Sequence, residues 1–187
     1  MRYYLIVGEP SGDLHGSKLI EGLKKADPKA EFRFWGGDLM AEAGGAENLA
    51  KHYRETSFFG FVNVLKNLGT IRRQFGECQA DIKQFNPDVL ILIDYPGFNL
   101  KMAKWAKEQE IKVFYYIAPK AWAWKEHRVK QIKQYVDRLY TIFPFETEWF
   151  GQFGITPTFC GNPLSDDIAL HRKTLPSHEE FCQANNL

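Results

Sequence analysis

The run V-L-I-L-I at residues 89–93 constrains the fold most strongly, because every one of its side chains is apolar. A strand with one solvent-exposed face alternates apolar and polar residues, so a continuous apolar run indicates a strand buried on both faces. Other short apolar segments predict strands at 3–7, 32–35, 113–117, 139–142 and 158–160, with a weaker one near residue 48. Segments of helical period lie between the strands, at 13–26, 71–85, 100–109, 125–135 and 145–153. This alternation predicts an α/β domain, a Rossmann-like parallel sheet with helices on both faces.

The composition is that of an ordinary globular domain and excludes several function classes. With 44% hydrophobic and 25% charged residues among 187, the chain has too much apolar content for disorder. Its 24 Lys and Arg against 23 Asp and Glu give a net charge of +1, so we expect no nucleic-acid partner. The longest apolar run, at 113–118, falls far short of the roughly 20 residues that cross a bilayer. The N-terminus has no signal-peptide pattern and the cysteines form no C-x-x-C pair, so we expect a cytoplasmic protein without a metal site.

The first candidate site is the segment G-E-P-S-G-D-L-H-G, residues 8–16, between a predicted strand and a predicted helix. It departs from G-x-G-x-x-G, because its glycines fall four apart and Pro10 lacks an N–H, so a nucleotide pyrophosphate is not implied. A tight turn in which Asp13 favours the helix N-terminus explains part of the pattern. Ser11 and His15 add polar groups that such a turn does not all require, although an isolated histidine is also common as a structural residue.

The second candidate is Asp94, the first polar residue after the strongest predicted strand. The carboxyl ends of parallel strands are where α/β sheets present functional groups, and a carboxylate there can act as a general base. Alternatively, Asp94 caps the turn through backbone N–H groups while Pro96 and Gly97 shape it. The residues alone favour neither explanation.

The third candidate follows the next strand, where the segment A-P-K-A-W-A-W-K-E-H-R, residues 118–128, interleaves aromatic and basic side chains. Trp122 can stack on a sugar face, and Arg128 can hold a phosphate by a forked contact, with Lys120 in the same loop. The alternative is a core tryptophan pair beside a solvated basic helix face, and we favour that explanation for Trp124.

A stretch at residues 58–75 has the pattern of a lipid-facing surface. Its apolar side chains fall at helical spacing, which by itself favours packing against the sheet. Bulky aromatic and basic side chains in the same stretch are also typical of a helix that sits on anionic lipid. The candidate membrane contacts are Phe58, Phe59, Phe61, Lys66, Arg72 and Arg73.

Five motifs, in this order, closely resemble the lipid-A-disaccharide synthase family: G-E-P-S-G-D-L-H-G, I-D-Y-P-G-F-N, A-P-K-A-W-A-W, F-P-F-E and F-C-G-N-P-L-S-D. The resemblance implies an inverting glycosyltransferase of lipid A biosynthesis that needs no metal or cofactor. Such an enzyme joins UDP-2,3-diacylglucosamine to 2,3-diacylglucosamine 1-phosphate and releases UDP. The resemblance also favours a membrane role for residues 58–75, at the inner face of the bacterial inner membrane, because acyl chains must partly leave the bilayer before the sugars react.

The resemblance further implies the N-terminal half of a GT-B glycosyltransferase. Residues 1–167 would form its Rossmann-like acceptor-side domain, and residues 168–187 would begin a linker to a missing C-terminal nucleotide-sugar domain, through which any oligomer would form. A capping box at Ser177 and Glu180 agrees, because it starts a helix barely two turns before the last residue; a natural carboxyl terminus is the alternative. We expect such a half to be inactive in isolation.

Site residues follow from the same resemblance. The family's catalytic carboxylate falls on Asp94, and its acceptor loop falls on Ser11, Gly12, Asp13 and His15. The other substrate-binding residues that we assign are Asn99, Lys120, Trp122 and Arg128. The chain departs from the family's pattern at Gly97 and Asn162, where many relatives carry Asp and His, so neither position is taken as catalytic.

Two competing functions stay open on the sequence. A related GT-B enzyme with a different acceptor is disfavoured by the aromatic stretch at 58–75, which a soluble acceptor would not need. A non-catalytic Rossmann-type nucleotide-binding module is disfavoured because G-x-G-x-x-G is absent. Binding of a lipid acceptor, compared with binding of NAD, separates these classes.

Overall fold

The computed structural model describes residues 1–56, 68–172 and 175–186 of the chain. Within these residues a single parallel sheet has the strand order β3-β2-β1-β4-β5-β6-β7. Its strands are β1 (Arg2–Ile6), β2 (Glu31–Gly36), β3 (Leu49–His52), β4 (Val89–Ile93), β5 (Lys112–Tyr116), β6 (Arg138–Thr141) and β7 (Thr158–Phe159). The predicted parallel sheet is confirmed.

Helices connect successive strands and lie on both faces of the sheet. The described ones are α1 (Pro10–Ala26), α2 (Asp38–Gly44), α3 (Tyr53–Thr56), α4 (Leu68–Phe85), α5 (Pro96–Glu108), α6 (Arg128–Tyr135), α7 (Pro144–Gly151), α8 (Pro163–His171) and α9 (His178–Asn185). Helices α1 and α2 pack on one face through Ile20 and Met40. Helices α4, α5 and α6 pack on the other face, for example through Ile82, Met102 and Ile132.

Strand β4 is buried along its whole length, as its unbroken apolar sequence predicts. Leu90 and Leu92 point into the core beneath α4 and α5. Val89, Ile91 and Ile93 belong to the opposite core, which includes residues of α1 and α2. Because side chains alternate across a strand, only a strand that is covered on both sides needs apolar residues at every position.

Several helix starts differ from the prediction, and two of the differences involve a proline. Helix α1 begins at Pro10 and α5 at Pro96, several residues before the predicted starts, and both prolines occupy the first turn. Proline suits that position because the first N–H groups of a helix have no partner within it. Helix α6 begins at Arg128, three residues later than predicted, because Lys125 has a φ of 58° and cannot be helical.

Part of the candidate membrane surface lies outside the described residues, namely Phe58, Phe59, Phe61 and Lys66. Arg72 and Arg73 lie on α4 and are exposed, and the Arg73 Nε is 3.5 Å from a carboxylate oxygen of Glu77. Phe75 instead packs edge-on against Phe98, with ring centroids 5.5 Å apart. This end of the apolar stripe therefore contributes to the core. Among the helices that the structure describes, none combines the length and the apolar character needed to cross a bilayer.

Candidate active site at the carboxyl edge of the sheet

The site lies where the chain reverses its direction of travel across the sheet. Strand β1 is paired with β2 on one side and with β4 on the other, so the loops that follow β1 and β4 lie side by side. Parallel α/β sheets open a crevice at this point, beyond the carboxyl ends of the strands. The loops after β5 and β6 border the same edge.

Glycines bring the loop after β1 against its neighbours. A Cβ atom on Gly8 would lie 2.3 Å from the Tyr95 ring, and one on Gly12 would lie 2.9 Å from the Cβ of Val7. Neither position has room for a side chain. The exposed Ser11 donates a hydrogen bond to Glu9 at the start of this loop.

Asp13 holds a neighbouring helix in place. Its buried carboxylate accepts hydrogen bonds from the backbone N–H groups of Gly37 (2.7 Å), Leu39 (3.1 Å) and Met40 (3.1 Å). These are orphan donors at the N-terminus of α2, one of the helices that the sequence analysis missed. Asp13 therefore caps α2, whereas the turn interpretation assigned it to the start of its own helix. A direct contact with substrate stays a prediction.

Asp94 projects from a strained turn. Its φ is 43° and that of Tyr95 is 47°, so two consecutive non-glycine residues are in the left-handed region. The carbonyl oxygen of Asp94 accepts hydrogen bonds from the Tyr115 hydroxyl (2.6 Å) and the Asn99 Nδ2 (2.8 Å). These bonds hold the turn, since such backbone conformations persist only where the surroundings over-determine them.

The surroundings raise the pKa of the Asp94 carboxyl above its ordinary value. Burial is the largest cause, and the negative charge of Glu9 adds to it. Lys120 and Arg128 oppose the rise, as does the N–H of Tyr95. The charges of Glu9, Lys120 and Arg128 therefore all act on the Asp94 carboxyl. Glu9 is the one of these residues that the sequence analysis did not single out, and the roles of Asp94, Lys120 and Arg128 stay predictions.

Asn99 is fully buried behind this turn. Its Nδ2 donates to the carbonyl oxygens of Ile6 (3.4 Å), Ile93 (3.2 Å) and Asp94 (2.8 Å), so it ties the ends of β1 and β4 together. Its Oδ1 has no hydrogen-bond partner among the described residues. The contacts of Asn99 are those of a residue that positions Asp94; its predicted contact with substrate stays a prediction.

Two tryptophans lie at the surface in the loop after β5. Trp122 is 38% exposed and Trp124 is 59% exposed, so the interpretation of Trp124 as part of a core pair is wrong. The Trp124 ring contacts cations, with the Lys125 Nζ 4.3 Å and the Arg128 Cζ 5.2 Å from its centroid. Lys120 is exposed, whereas Arg128 is buried at the start of α6.

His15 lies against α8. It lines a cavity of about 110 Å³ together with Lys18, Pro163 and Asp166. Burial lowers the pKa of His15, and the charge of Asp167 opposes this effect. The nearby Asn162 caps α8, where its Oδ1 accepts from the N–H of Leu164 at 3.1 Å.

Sequence reasoning missed Glu9 and Glu146 as site residues. Both occur inside motifs that carried the family resemblance, which was the one available signal. Glu146 is 1% exposed and binds Trp122 from the turn after β6. Across the described ranges, no three His, Cys, Asp or Glu side chains are grouped so that they could hold a metal ion.

The sheet order and the strand-edge crevice define a Rossmann-like α/β domain, and solved structures share this fold. UDP-N-acetylglucosamine 2-epimerase from Rickettsia bellii has a TM-score of 0.63 at 12% identity, over 93% of this chain and 48% of that chain. The Neisseria meningitidis UDP-GlcNAc 2-epimerase bound to UDP-GlcNAc has a TM-score of 0.62 at 10% identity, over 98% of this chain and 52% of that chain. At these identities the likeness shows the fold alone.

Sequence comparison identifies the family. The model for the family described as lipid-A-disaccharide synthetase matches residues 3–185. The lipid-A-disaccharide synthase of Trichlorobacter lovleyi is 42% identical over 173 residues, which are 91% of this chain and 45% of that protein. The synthase of Coxiella burnetii is 40% identical over 188 residues, 98% of this chain and 47% of that protein. The chain belongs to the lipid-A-disaccharide synthase family, and it spans about half the length of these curated relatives.

Proposed function

We propose that this chain is the acceptor-side half of an inverting glycosyltransferase that joins UDP-2,3-diacylglucosamine to 2,3-diacylglucosamine 1-phosphate. The family supports glycosyl transfer in lipid A biosynthesis. The observation that carries the proposal is Asp94, a partly buried carboxyl at the strand edge whose pKa is raised by burial and by Glu9 against the charges of Lys120 and Arg128. A general base works best when its pKa approaches the working pH, and burial moves the Asp94 carboxyl in that direction.

In the proposed mechanism, Asp94 accepts the proton of the acceptor 6-hydroxyl as that oxygen attacks the anomeric carbon of the donor. The bond from the anomeric carbon to the diphosphate breaks on the opposite face, so the configuration inverts and UDP leaves. Lys120 and Arg128 attract the acceptor phosphate, because both are cations and both are close enough to Asp94 to lower its pKa. Protein cations and helix dipoles stabilise the departing diphosphate.

The test is Asp94→Asn in the full-length enzyme. Loss of a general base should lower turnover about a hundredfold or more while leaving the far-UV circular dichroism unchanged. The matched control is Asp38→Asn, which removes an exposed carboxylate at the start of α2 and should keep normal turnover. Near-normal disaccharide formation by a folded Asp94→Asn enzyme would remove Asp94 from the mechanism.

We also propose that residues 1–167 form the acceptor domain, that 168–187 begin the linker, and that the donor is bound by a second half. The support is that relatives of twice this length carry the synthase name. Titration of the 187-residue chain with 2,3-diacylglucosamine 1-phosphate and with NAD separates the candidate functions. Binding of NAD but not of the lipid would favour a nucleotide-binding module instead.

Attachment to the inner face of the inner membrane would bring the chain to its acylated substrates, whose acyl chains lie in the bilayer. Exposed Arg72 and Arg73 support the proposed contact, since each basic residue near an anionic surface contributes about 1 kcal/mol. The aromatic residues Phe58, Phe59 and Phe61 would enter the interface beside them, with Lys66 meeting lipid phosphates. Attachment of this kind is weak and reversible.

A further inference from the structure

The F-P-F-E segment, residues 143–146, has no role in the mechanism above, yet its glutamate is among the most buried charged groups of the described chain. Glu146 lies in the first turn of α7. Its Oε2 accepts hydrogen bonds from the N–H groups of Ile142 (3.2 Å) and Phe143 (3.1 Å), and its Oε1 accepts one from the Trp122 indole Nε1 (3.1 Å). One carboxylate thus joins the turn after β6 to the loop after β5.

This anchor supports a surface of three aromatic rings, which we call the aromatic platform: Trp122, Phe143 and Phe145. The Trp122 and Phe145 rings meet edge to face, with centroids 5.0 Å apart and an interplanar angle of 83°. Phe143 stacks on Phe145 at 5.8 Å and 17°. Phe145 is nevertheless 48% exposed. A fixed, exposed aromatic surface beside a strand-edge site is characteristic of a binding surface.

The chemistry of the platform favours hydrocarbon over a sugar. The indole N–H is the only polar group on the three side chains, and Glu146 already accepts it. The platform therefore has no side-chain donor or acceptor left for sugar hydroxyls, whereas an alkyl chain needs only apolar contact. Phe143 and Pro144 also line an adjoining groove of about 700 Å³, whose wall has aromatic side chains, Tyr116 and Phe159, and polar ones, among them Lys18 and Asp166.

The charges nearby match a ligand with an anionic head. Lys120 belongs to the same loop as Trp122, and Arg128 follows that loop at the start of α6. A phosphate held by these cations would leave attached alkyl chains next to the platform. We propose that the platform binds an acyl chain of the acceptor and that Glu146 is the positioning residue that fixes Trp122 there. This inference rests on the proposed function, because that function supplies an acylated sugar phosphate.

The test uses two probes, short-chain 2,3-diacylglucosamine 1-phosphate and glucosamine 1-phosphate, titrated into the isotopically labelled 187-residue chain. The Trp122 indole N–H resonance reports on the platform, and the Tyr95 amide resonance reports on the Asp94 turn. The acylated probe should shift both resonances. Glucosamine 1-phosphate should shift the Tyr95 amide resonance and leave the Trp122 indole resonance unchanged.

Three variants remove separate parts of the surface. Phe145→Ala and Trp122→Phe should each lower the affinity for the acylated probe about tenfold, which corresponds to about 1.4 kcal/mol of binding free energy. Glu146→Gln should lower this affinity severalfold. The amide oxygen can still accept hydrogen bonds from the backbone, but the NH₂ group cannot accept the one from the Trp122 indole N–H. All three should bind glucosamine 1-phosphate like the parent. The matched control is Phe181→Ala in α9, which removes a ring of similar exposure, 49%, and should change nothing.

Each other outcome overturns the proposal in a recognisable way. A Trp122 shift with glucosamine 1-phosphate would make the platform a sugar site. A Tyr95 shift without a Trp122 shift, with the acylated probe, would remove the platform and leave the proposed function standing. Neither resonance moving would remove both. Loss of sedimentation with phosphatidylethanolamine and phosphatidylglycerol vesicles in Phe145→Ala would assign the rings to the bilayer. Should Glu146→Gln fail to fold, the Trp122→Phe variant tests whether the platform binds the acyl chain.

Discussion

Replacing Asp13 by alanine should destabilise the whole domain, because this buried carboxylate is the cap of α2. Three backbone N–H groups lose their acceptor. Two of these donors, on Gly37 and Met40, make buried bonds, and leaving a buried donor unsatisfied costs about 1–3 kcal/mol each. The third donor, the N–H of exposed Leu39, can form a hydrogen bond with water instead. We therefore expect a loss of about 2–6 kcal/mol in the free energy of unfolding, a large share of the 5–15 kcal/mol typical of a domain.

The size of the effect should depend on which acceptor survives. The Oδ1 atom of Asp13 serves both Gly37 and Met40, so Asp13→Asn keeps an oxygen for both buried donors and should lose only about 1–2 kcal/mol. Glu21→Ala, which removes an exposed carboxylate from the same helix, should change stability by less than about 0.5 kcal/mol. Urea unfolding of the 187-residue chain, followed by circular dichroism, measures all three. An Asp13→Ala chain within about 1 kcal/mol of the parent would refute the capping role.

Three further outcomes are expected. Asp94→Asn should be more stable than the parent, because the charged carboxylate is disfavoured in the folded chain. The difference in unfolding free energy should widen as pH rises from the unfolded-state pKa of 3.8 through the raised folded-state pKa. Urea midpoints of the two chains that move in parallel with pH would contradict this. The purified 187-residue chain should fold yet form no disaccharide from the two acylated sugars, and activity free of full-length contamination would show that no second half is needed. Sedimentation with anionic liposomes should fall with salt and with the double change of Phe58 and Phe61 to Ser; unchanged binding, or an unfolded domain, would assign the residue 58–75 stripe to core packing.

Local patterns in the sequence were sufficient for the strands and for most of the described helices, although not for α2, α3 and α8. The continuous run at 89–93 predicted a strand covered on both faces, and β4 is such a strand. The S-x-x-E pattern predicted the start of α9, where the Ser177 Oγ accepts from the N–H of Glu180 at 3.2 Å and the Glu180 carboxylate accepts from the N–H of Ser177 at 2.7 Å. These features depend on residues within a turn or two of each other, so the sequence alone carries them.

The role of each site residue depended on the order of the strands. Asp13 and Gly37 are 24 positions apart, as are Trp122 and Glu146, and each pair meets only because the loops after neighbouring strands converge at one edge. The same convergence places Glu9 near Asp94 and raises the pKa of that carboxyl. No local pattern encodes such contacts, since a buried carboxylate selects whichever backbone or indole N–H the packed strands and helices bring within hydrogen-bond distance. The sequence therefore determined which residue types stand at the strand ends, and only the tertiary structure decided which of them hold the fold and which face the crevice.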